Sequence, residues 1–577
     1  MHDLAYLPKN KLQFGFEPGR SPSMCSLVIT EAIAEARFLK IPLLSATEDA
    51  RKAFDVVSHQ ILKLKLFHTD MHPRVWTMID SMYTGGTERV RYTGRLSSAY
   101  SVQQGVKQGG ASSPDLYKRY LYALLQCLEE AGLGLHIGNI YLGSPTCADD
   151  IFFLSNDYTG SELQGMLNIS FDYSKAHMWE IHPIKSSATI LRETPAVQRK
   201  FWTLDTNVMP TVPSFDHLGL TWEKGKAQPD IEKIISNTRR CSYKLLGIGV
   251  HGCNGLNPCL SMKILCTWVW SVMLSGTEAL VLRQLDLDKI EAFYRKTLRM
   301  IQGLPDNTAS CAVYLLVGAV PAEGLIHQRM FSLFGNITRL EENHPLRLLA
   351  FRQLALARPH SWFWQMAQIA ERYSINIHHA LILPWSKDSW KQHCKTAVKS
   401  YWQRKLIQEA FTMSTLKHII WSPDCLGTPH DIWKACATFP HLVPAAITRI
   451  KSMVGRLGLN YASWKKVDTT CPLCFTEEET SLHFLIRCPN LQPYRATKIK
   501  ELQQIYSNDD KEPPRSNEEL LSVVINGDCY ISSRSATTTV IKLNNHCVEA
   551  QNLCSALCQR LYKERDHIIN EKLMERI

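Results

Sequence analysis

No apolar run in this 577-residue chain reaches the roughly 20 residues that a membrane span needs. The longest, "ILCTWVWSVML" and "CAVYLLVGAV", stop short, and Pro321 closes the second. The opening "MHDLAYLPKNKLQFGF" lacks the continuous apolar stretch of a secretory leader. Internal repeats and low-complexity tracts are missing too. There is no G-x-x-x-x-G-K phosphate cradle and no pattern of a nucleophile triad. Nor is one sign of charge scarce: 65 Lys and Arg against 54 Asp and Glu leave a formal +11. That mild excess favours polyanion partners without proving one. A hydrophobic content of 45% and a charged content of 21% argue against disorder as the main state. The chain reads as soluble, intracellular and free of membrane contact, with roughly three or four domains by length. In a reducing compartment the 18 Cys are mostly buried thiols, and a tight cluster is a metal candidate.

What is present begins with mixed strand and helix patterns over 1–230, an α+β region. "KIPLLSAT" predicts a short strand, and "KAFDVVSHQILKLKLF" has helical periodicity. "TERVRYTGRLSSAYSV" alternates around a Gly turn and predicts a hairpin. "SSPDLYKRYLYALLQCLEEAG" predicts a helix capped by Ser113, with Pro114 in its first turn and Gly132 ending it. Its apolar stripe is Leu116, Tyr117, Tyr120, Leu121, Leu124, Leu125 and Leu128. "IYLGSPTCADDIFFLS" predicts strand, turn and strand, with Asp149 and Asp150 at or beside the tip. From about 231 the pattern turns helical. In "LDLDKIEAFYRKTLRMIQGLP" one face carries Leu287, Ile290, Phe293, Tyr294, Leu298 and Ile301, and the other Arg295, Lys296 and Arg299. That basic strip is either a solvated face or a phosphate contact. The Trp- and His-rich stretch 361–440 has no readable pattern. A linker near "DDKEPPRSNEE" precedes a C-terminal helix.

Adjacent carboxylates at a hairpin tip are a solvated turn unless a partner joins them. Asp49, where the predicted strand gives way to helix, can be that partner. Asp55 lies six residues on, about 20 Å along an extended strand, and reads as structural. Magnesium is held by a few carboxylates together with substrate phosphates. Two such ions can activate an attacking oxygen and neutralise a leaving pyrophosphate. Asp49, Asp149 and Asp150 meet that requirement, Asp149 being the stronger ligand of its pair. "VQQGVKQGGASSPDLY" adds Gly105, Gly109 and Gly110, Gln108, and a helix N-terminus, which can admit a nucleotide or simply make a turn.

Taken in order, "LQFGFEPGRSP", "EDARKAFDVVSH", "GVKQGGASSP", "CADDIFFL", "EIHPIKSS" and "FDHLGL" resemble the successive motifs of non-LTR (LINE-type) retrotransposon reverse transcriptases. The resemblance implies an RNA-directed DNA polymerase with a right-hand palm and partial fingers over 1–230. It makes Asp49, Asp149 and Asp150 the ligands of two Mg²⁺ ions. Phe54 is then the aromatic under the deoxyribose, Gln108 and Gly109 shape the nucleotide site, and Lys185 lies beside the triphosphate. Arg20 grips the template, and Leu218 and Gly219 belong to the primer grip. Segments after 230 are similar to the region following the polymerase in these elements. This implies a helical thumb over 231–360 and moves Arg295, Lys296 and Arg299 toward phosphate contact. A helical connector over 361–460 and a tail over 501–577 complete the expected layout. The implied partners are an RNA template, a DNA primer and deoxynucleoside triphosphates.

"CPLCFTEEETSLHFLIRC" holds Cys471, Cys474, His483 and Cys488 in a C-x2-C-x8-H-x4-C spacing. Three thiolates and one imidazole make a closed tetrahedral set, as structural Zn²⁺ requires. This predicts a CCHC zinc-binding module over 461–500, and such a module follows the polymerase in the family resembled. Arg456, Trp464, Lys465 and Lys466 beside it suit either nucleic acid or a solvated loop. His177, His182, Cys253 and Cys259 show no ligand spacing and read as core or surface.

The chain departs from the family pattern in three places. Cys147 stands where an aromatic usually precedes the Asp pair. Thr47 and Glu48 put polar groups where the strand is normally apolar. The chain also opens almost at "GFEPGRSP", so the N-terminal endonuclease and much of the fingers are expected to be lacking. The leading expectation is therefore a reverse transcriptase. The alternatives are a truncated, inactive nucleic-acid-binding relic and a zinc-held interaction scaffold.

Overall fold

The computed structural model describes residues 9–182, 185–252, 255–416, 419–422, 424–437, 439–460, 468–507, 514, 516–527 and 545–574. Cys253, Trp464, Lys465, Lys466 and two residues of the "EIHPIKSS" motif, Pro183 and Ile184, lie outside them. The chain divides into two compact units that interleave along the sequence. The first comprises Met1–Asp230, Ser275–Leu282 and His327–Cys394; the second comprises Ile231–Leu274, Arg283–Ile326 and Lys395–Ile577.

The first unit opens with helix α1 (Pro22–Leu39), strand β1 (Leu43–Asp49) and helices α2 (His59–Phe67) and α3 (Pro73–Tyr83). Four two-residue strands follow, β2 (Thr87–Glu88), β3 (Arg91–Tyr92), β4 (Arg95–Leu96) and β5 (Tyr100–Ser101). They nest as the expected hairpin, β2 on β5 and β3 on β4. Helix α4 (Ser113–Glu130) buries all seven residues of its predicted stripe. Short strands β6 (His136–Ile137) and β7 (Ile140–Tyr141) lead to β8 (Thr146–Cys147), β9 (Asp150–Ser155), helix α5 (Ser161–Ala176) and β10 (Ser187–Arg192). β11 (Thr203–Leu204), β12 (Asn207–Val208), β13 (Ser214–His217) and β14 (Leu220–Glu223) form two small hairpins.

The central sheet has the order β10-β1-β9-β8, and every neighbouring pair is antiparallel. Strand alternation sorts its residues onto two faces. Leu44, Ala46, Ile151 and Phe153 join the core with the stripe of α4 and with Leu163, Met166 and Leu167 of α5. On the other face the Phe152 ring meets Phe215 at 5.4 Å and His217 at 4.9 Å.

The helix expected from about 52 starts only at His59, with the Ser58 hydroxyl accepting from the Ile61 amide. The reason is tertiary. The carbonyls of Phe54 and Val57 accept from the amides of Val106 and Gly105, so segment 51–57 is tied to the loop before α4. Those bonds replace the ones a helix would make there.

The stretch 361–394, unreadable in sequence, packs on α1. The buried Glu31 carboxylate accepts from Gln353 Nε2 at 2.7 Å, from Ser361 Oγ at 3.0 Å and from the Trp362 amide at 2.6 Å. Glu35 pairs with Arg352 at 3.0 Å and also with Arg358.

The second unit is helical. Arg449, fully buried, donates to the carbonyls of Val524 at 2.8 Å, Ile525 at 3.1 Å and Gln551 at 2.9 Å. It thereby ties helix Val443–Met453 to helices Asn517–Asn526 and Asn545–Met574. Helical structure from Pro258 to Ala279 runs for 22 residues and contains an 18-residue window with a mean hydropathy of 1.3. This is longer than the apolar run in the sequence suggests, and long and apolar enough to cross a membrane. Buried core helices meet the same criterion, and 33% of its apolar window is buried.

Candidate active site and metal centre

The β1 ladder ends with Asp49 directly opposite Asp150. Opposed residues share a face, so these carboxylates stand side by side above the sheet. Cys147 also pairs with Asp150, leaving Ala148 and Asp149 as the two-residue turn between β8 and β9. Ala148 carries the positive φ of 60° that such hairpin turns demand. The Asp pair is thus split, Asp149 at the tip and Asp150 on the strand.

Asp49 and Asp149 line a cleft of 440 Å³ with Ala50 to Phe54, Gln108, His182 and Lys185. Lys185 Nζ stands 3.4 Å from Asp49 Oδ2, and the Asp49 amide donates to Ser186 Oγ at 3.2 Å. Burial, and then the charge of Asp149 and Asp49, pushes the Asp150 carboxyl up to about 6. Burial, with repulsion from Asp49, raises Asp149 as well. Crowded carboxylates relieved by one exposed lysine favour a hard cation. Their oxygen-only donor set suits Mg²⁺. They do not converge on one point: among the described residues, only the Cys471 group holds its ligand atoms all within 4.8 Å of one another.

Around this floor, Phe54 stacks on Tyr117 at 4.8 Å and meets the Phe16 ring edge-on at 6.5 Å. Gln108 Nε2 donates to Asp55 Oδ1 at 3.3 Å, so Asp55 positions an amide of the cleft. Gly109 has φ 77° and open space where a side chain would be. His182, read from sequence as core or surface, lies in the cleft wall, and its amide donates to the Asp49 carbonyl at 2.8 Å. His177 stacks on Tyr173 at 3.7 Å, as a packing residue does. Arg20 donates to the carbonyls of Asn10 at 2.6 Å and Gln13 at 2.9 Å, bracing its own loop. Leu218 (φ 50°) and Gly219 (φ 82°) form the turn between β13 and β14. In the second unit Lys296 is exposed and Arg295 half-buried, while Arg299 donates to the Thr308 carbonyl at 3.0 Å.

Glu48 points the other way, into the core. It is 2% exposed, one oxygen accepts from Ser170 Oγ, and the other meets no partner. Burial pushes its carboxyl up to about 8, so it is mostly neutral at pH 7. A folded-state pKa above the unfolded 4.5 means that the folded protein holds the proton more tightly. Glu48 therefore contributes fully below about pH 4.5, and the contribution is lost as pH rises through about 8. Glu48→Gln is expected to remove that slope. At pH 8 it stabilises by up to about 4 kcal/mol, or about 10 °C in Tm. Calorimetry from pH 5 to 8 checks this, and a wild-type–variant gap that stays constant with pH refutes it.

The second cluster is in the other unit. Cys471 Sγ and Cys488 Sγ lie 3.9 Å apart, and Cys474 Sγ and His483 Nε2 3.3 Å apart. A tetrahedral ion bound at about 2.3 Å to sulfur separates its ligands by about 3.8 Å, so the set fits a metal of the zinc class. Glu477 Oε2, 3.1 Å from His483 Nδ1, orients the imidazole.

An antiparallel sheet that presents three carboxylates at adjacent strand ends beside a cleft is the arrangement that the floor of a polymerase palm requires. Residues 7–222 match the family described as reverse transcriptase (RNA-dependent DNA polymerase). The chain is also similar to the retrovirus-related Pol polyprotein of the type-1 retrotransposable element R2 of Popillia japonica. The two are 24% identical over 225 residues, 36% of this chain and 36% of the relative. The match therefore spans about a third of that relative's length. Residues 7–222 thus match a reverse transcriptase domain, and the similarity to the R2 polyprotein points to the non-LTR retrotransposon kind.

Proposed function

We propose that this chain is an RNA-directed DNA polymerase that extends a DNA 3′ end on an RNA template with deoxynucleoside triphosphates. The observation that carries the reading is Asp49 facing Asp150, with Asp149 at the adjoining tip, inside the matched domain. Asp49, Asp149 and Asp150 would hold two Mg²⁺, which lower the charge cost of joining a 3′ oxygen to an α-phosphorus as pyrophosphate leaves. Lys185, 3.4 Å from Asp49, can take a triphosphate oxygen as a second partner. Phe54, backed by Tyr117, presents a rigid ring to the sugar, while Gln108 and open Gly109 face the nucleotide. Arg20, Leu218 and Gly219 shape the path of template and primer. Beyond residue 230 the helices would serve as thumb and connector, with Arg295, Lys296 and Arg299 against phosphates. Cys471, Cys474, His483 and Cys488 would hold one structural Zn²⁺, and the setting would be intracellular.

Primer extension on an RNA template tests the reading. Full-length product that requires Mg²⁺ and all four deoxynucleotides is expected. Absence of any extended primer, from a chain shown to be folded by circular dichroism, refutes it.

A further inference from the structure

We propose that Gln13 is a positioning residue for the aspartate hairpin, acting on it through the backbone of Ala148. The inference rests on the reading of Asp149 and Asp150 as metal ligands. Gln13 is 3% exposed and grips Ala148 at both ends: Oε1 accepts from the Ala148 amide at 2.8 Å, and Nε2 donates to the Ala148 carbonyl at 3.2 Å. The same oxygen accepts from the Gly15 amide at 2.8 Å, which fixes the rotamer of the clamp itself. On either side the backbones are tied, Phe14 amide to Thr146 carbonyl at 2.8 Å and Thr146 amide to Leu12 carbonyl at 2.9 Å.

Two further facts say that the clamp does more than fill space. Ala148 adopts φ 60°, a conformation that costs an L-residue about 1 kcal/mol or more and needs outside support. Gly15 must be glycine, because a Cβ there would lie 2.3 Å from the Ala148 nitrogen. Segment 12–15 is therefore built against the residue whose two flanking peptides set where Asp149 points and where Asp150 enters β9. Crowded carboxylates repel one another, and a loosened tip would let them part. Gripping the N–H of the peptide before Ala148 and the C=O of the peptide after it resists rotation about φ and ψ of that residue, which an apolar contact of equal area could not do.

The test uses the full chain with Gln13→Met, which keeps the length and removes the hydrogen bonds. Gln164→Met is the matched control. Gln164 is likewise buried and clamps a backbone, accepting from the Thr203 amide at 2.9 Å and donating to its carbonyl at 2.8 Å, but on α5 rather than at the hairpin. Two quantities are read: Mn²⁺ affinity without nucleic acid, by electron paramagnetic resonance, and the half-saturating Mg²⁺ for primer extension. Mn²⁺ bound at the zinc-class site is subtracted with Asp149→Ala. Gln13→Met is expected to weaken Mn²⁺ about tenfold or more and to raise the Mg²⁺ requirement in parallel. Gln164→Met is expected to lower Tm and leave both unchanged. Equal metal affinity in Gln13→Met and wild type overturns the proposal, as does an equal loss in the control. Mn²⁺ binding that depends on Gln13 in a wild-type chain without extension sustains the clamp while refuting the polymerase reading. A wild-type chain without aspartate-dependent Mn²⁺ binding overturns both.

Discussion

Asp149→Ala is expected to lower the rate of primer extension by about 10³-fold or more, with the fold unchanged. Phosphoryl transfer draws its acceleration almost wholly from positioning and charge neutralisation. Removing one of the three carboxylates at the site therefore removes most of what it supplies. Asp49→Ala should match it, since Asp49 stands opposite Asp150 and lines the same cleft. Neither change should destabilise the unit. Both residues are crowded against like charge, so their removal relieves repulsion, and a small rise in Tm is expected. Single-turnover extension under saturating Mg²⁺, with Tm measured alongside, checks both halves. A rate within tenfold of wild type removes these aspartates from the chemistry.

Stripping the zinc proposed for the Cys471 cluster should unfold more than the cluster. Structural zinc binding is folding free energy, about 10–16 kcal/mol in small modules. Here the module is also fastened to the C-terminal helix. Arg565 donates to Glu479 at 2.6 and 2.9 Å with both residues buried, and Lys572 donates to the Leu473 carbonyl at 2.8 Å. Glu479 in turn accepts from the Asn460 amide at 2.6 Å. Losing the cluster leaves Arg565 and Glu479 without their frame. A strong chelator, or Cys471→Ser, is thus expected to raise amide exchange across 468–491 and along the outer half of helix Asn545–Met574 by at least about 10³-fold. One zinc per chain should be released. Unchanged protection of 471–488 after chelation defeats the assignment.

Much of this was legible in the sequence because it depends on local periodicity or on ordered motifs. The α4 stripe, the hairpin over 87–101, the strand ending near Asp49 and a turn at or beside the Asp pair all follow from patterns of 2 and 3.6 residues and from turn chemistry; that Ala148 and Asp149 are the turn residues came from the strand register. The four-ligand spacing from Cys471 to Cys488 was equally plain, since all its members lie within 18 residues. The late start of α2 was not legible. Its periodicity is real, but amides from residues 105 and 106 claim the carbonyls a helix would use. Nor could sequence alone give Glu48 a role. In sequence it is only a polar departure where the strand is normally apolar, and strand alternation within a packed sheet sends it into the core beside Ser170.

By itself, then, the sequence determined the kind of domain and the set of carboxylates, because ordered motifs and side-chain types are properties of the chain. Tertiary structure alone decided which groups serve those carboxylates. Gln13 reaches Ala148 across 135 residues, and Glu31 reaches Trp362 across 331. Contacts at such separations leave no periodic trace, because they depend on where the folded backbone brings one peptide against another side chain.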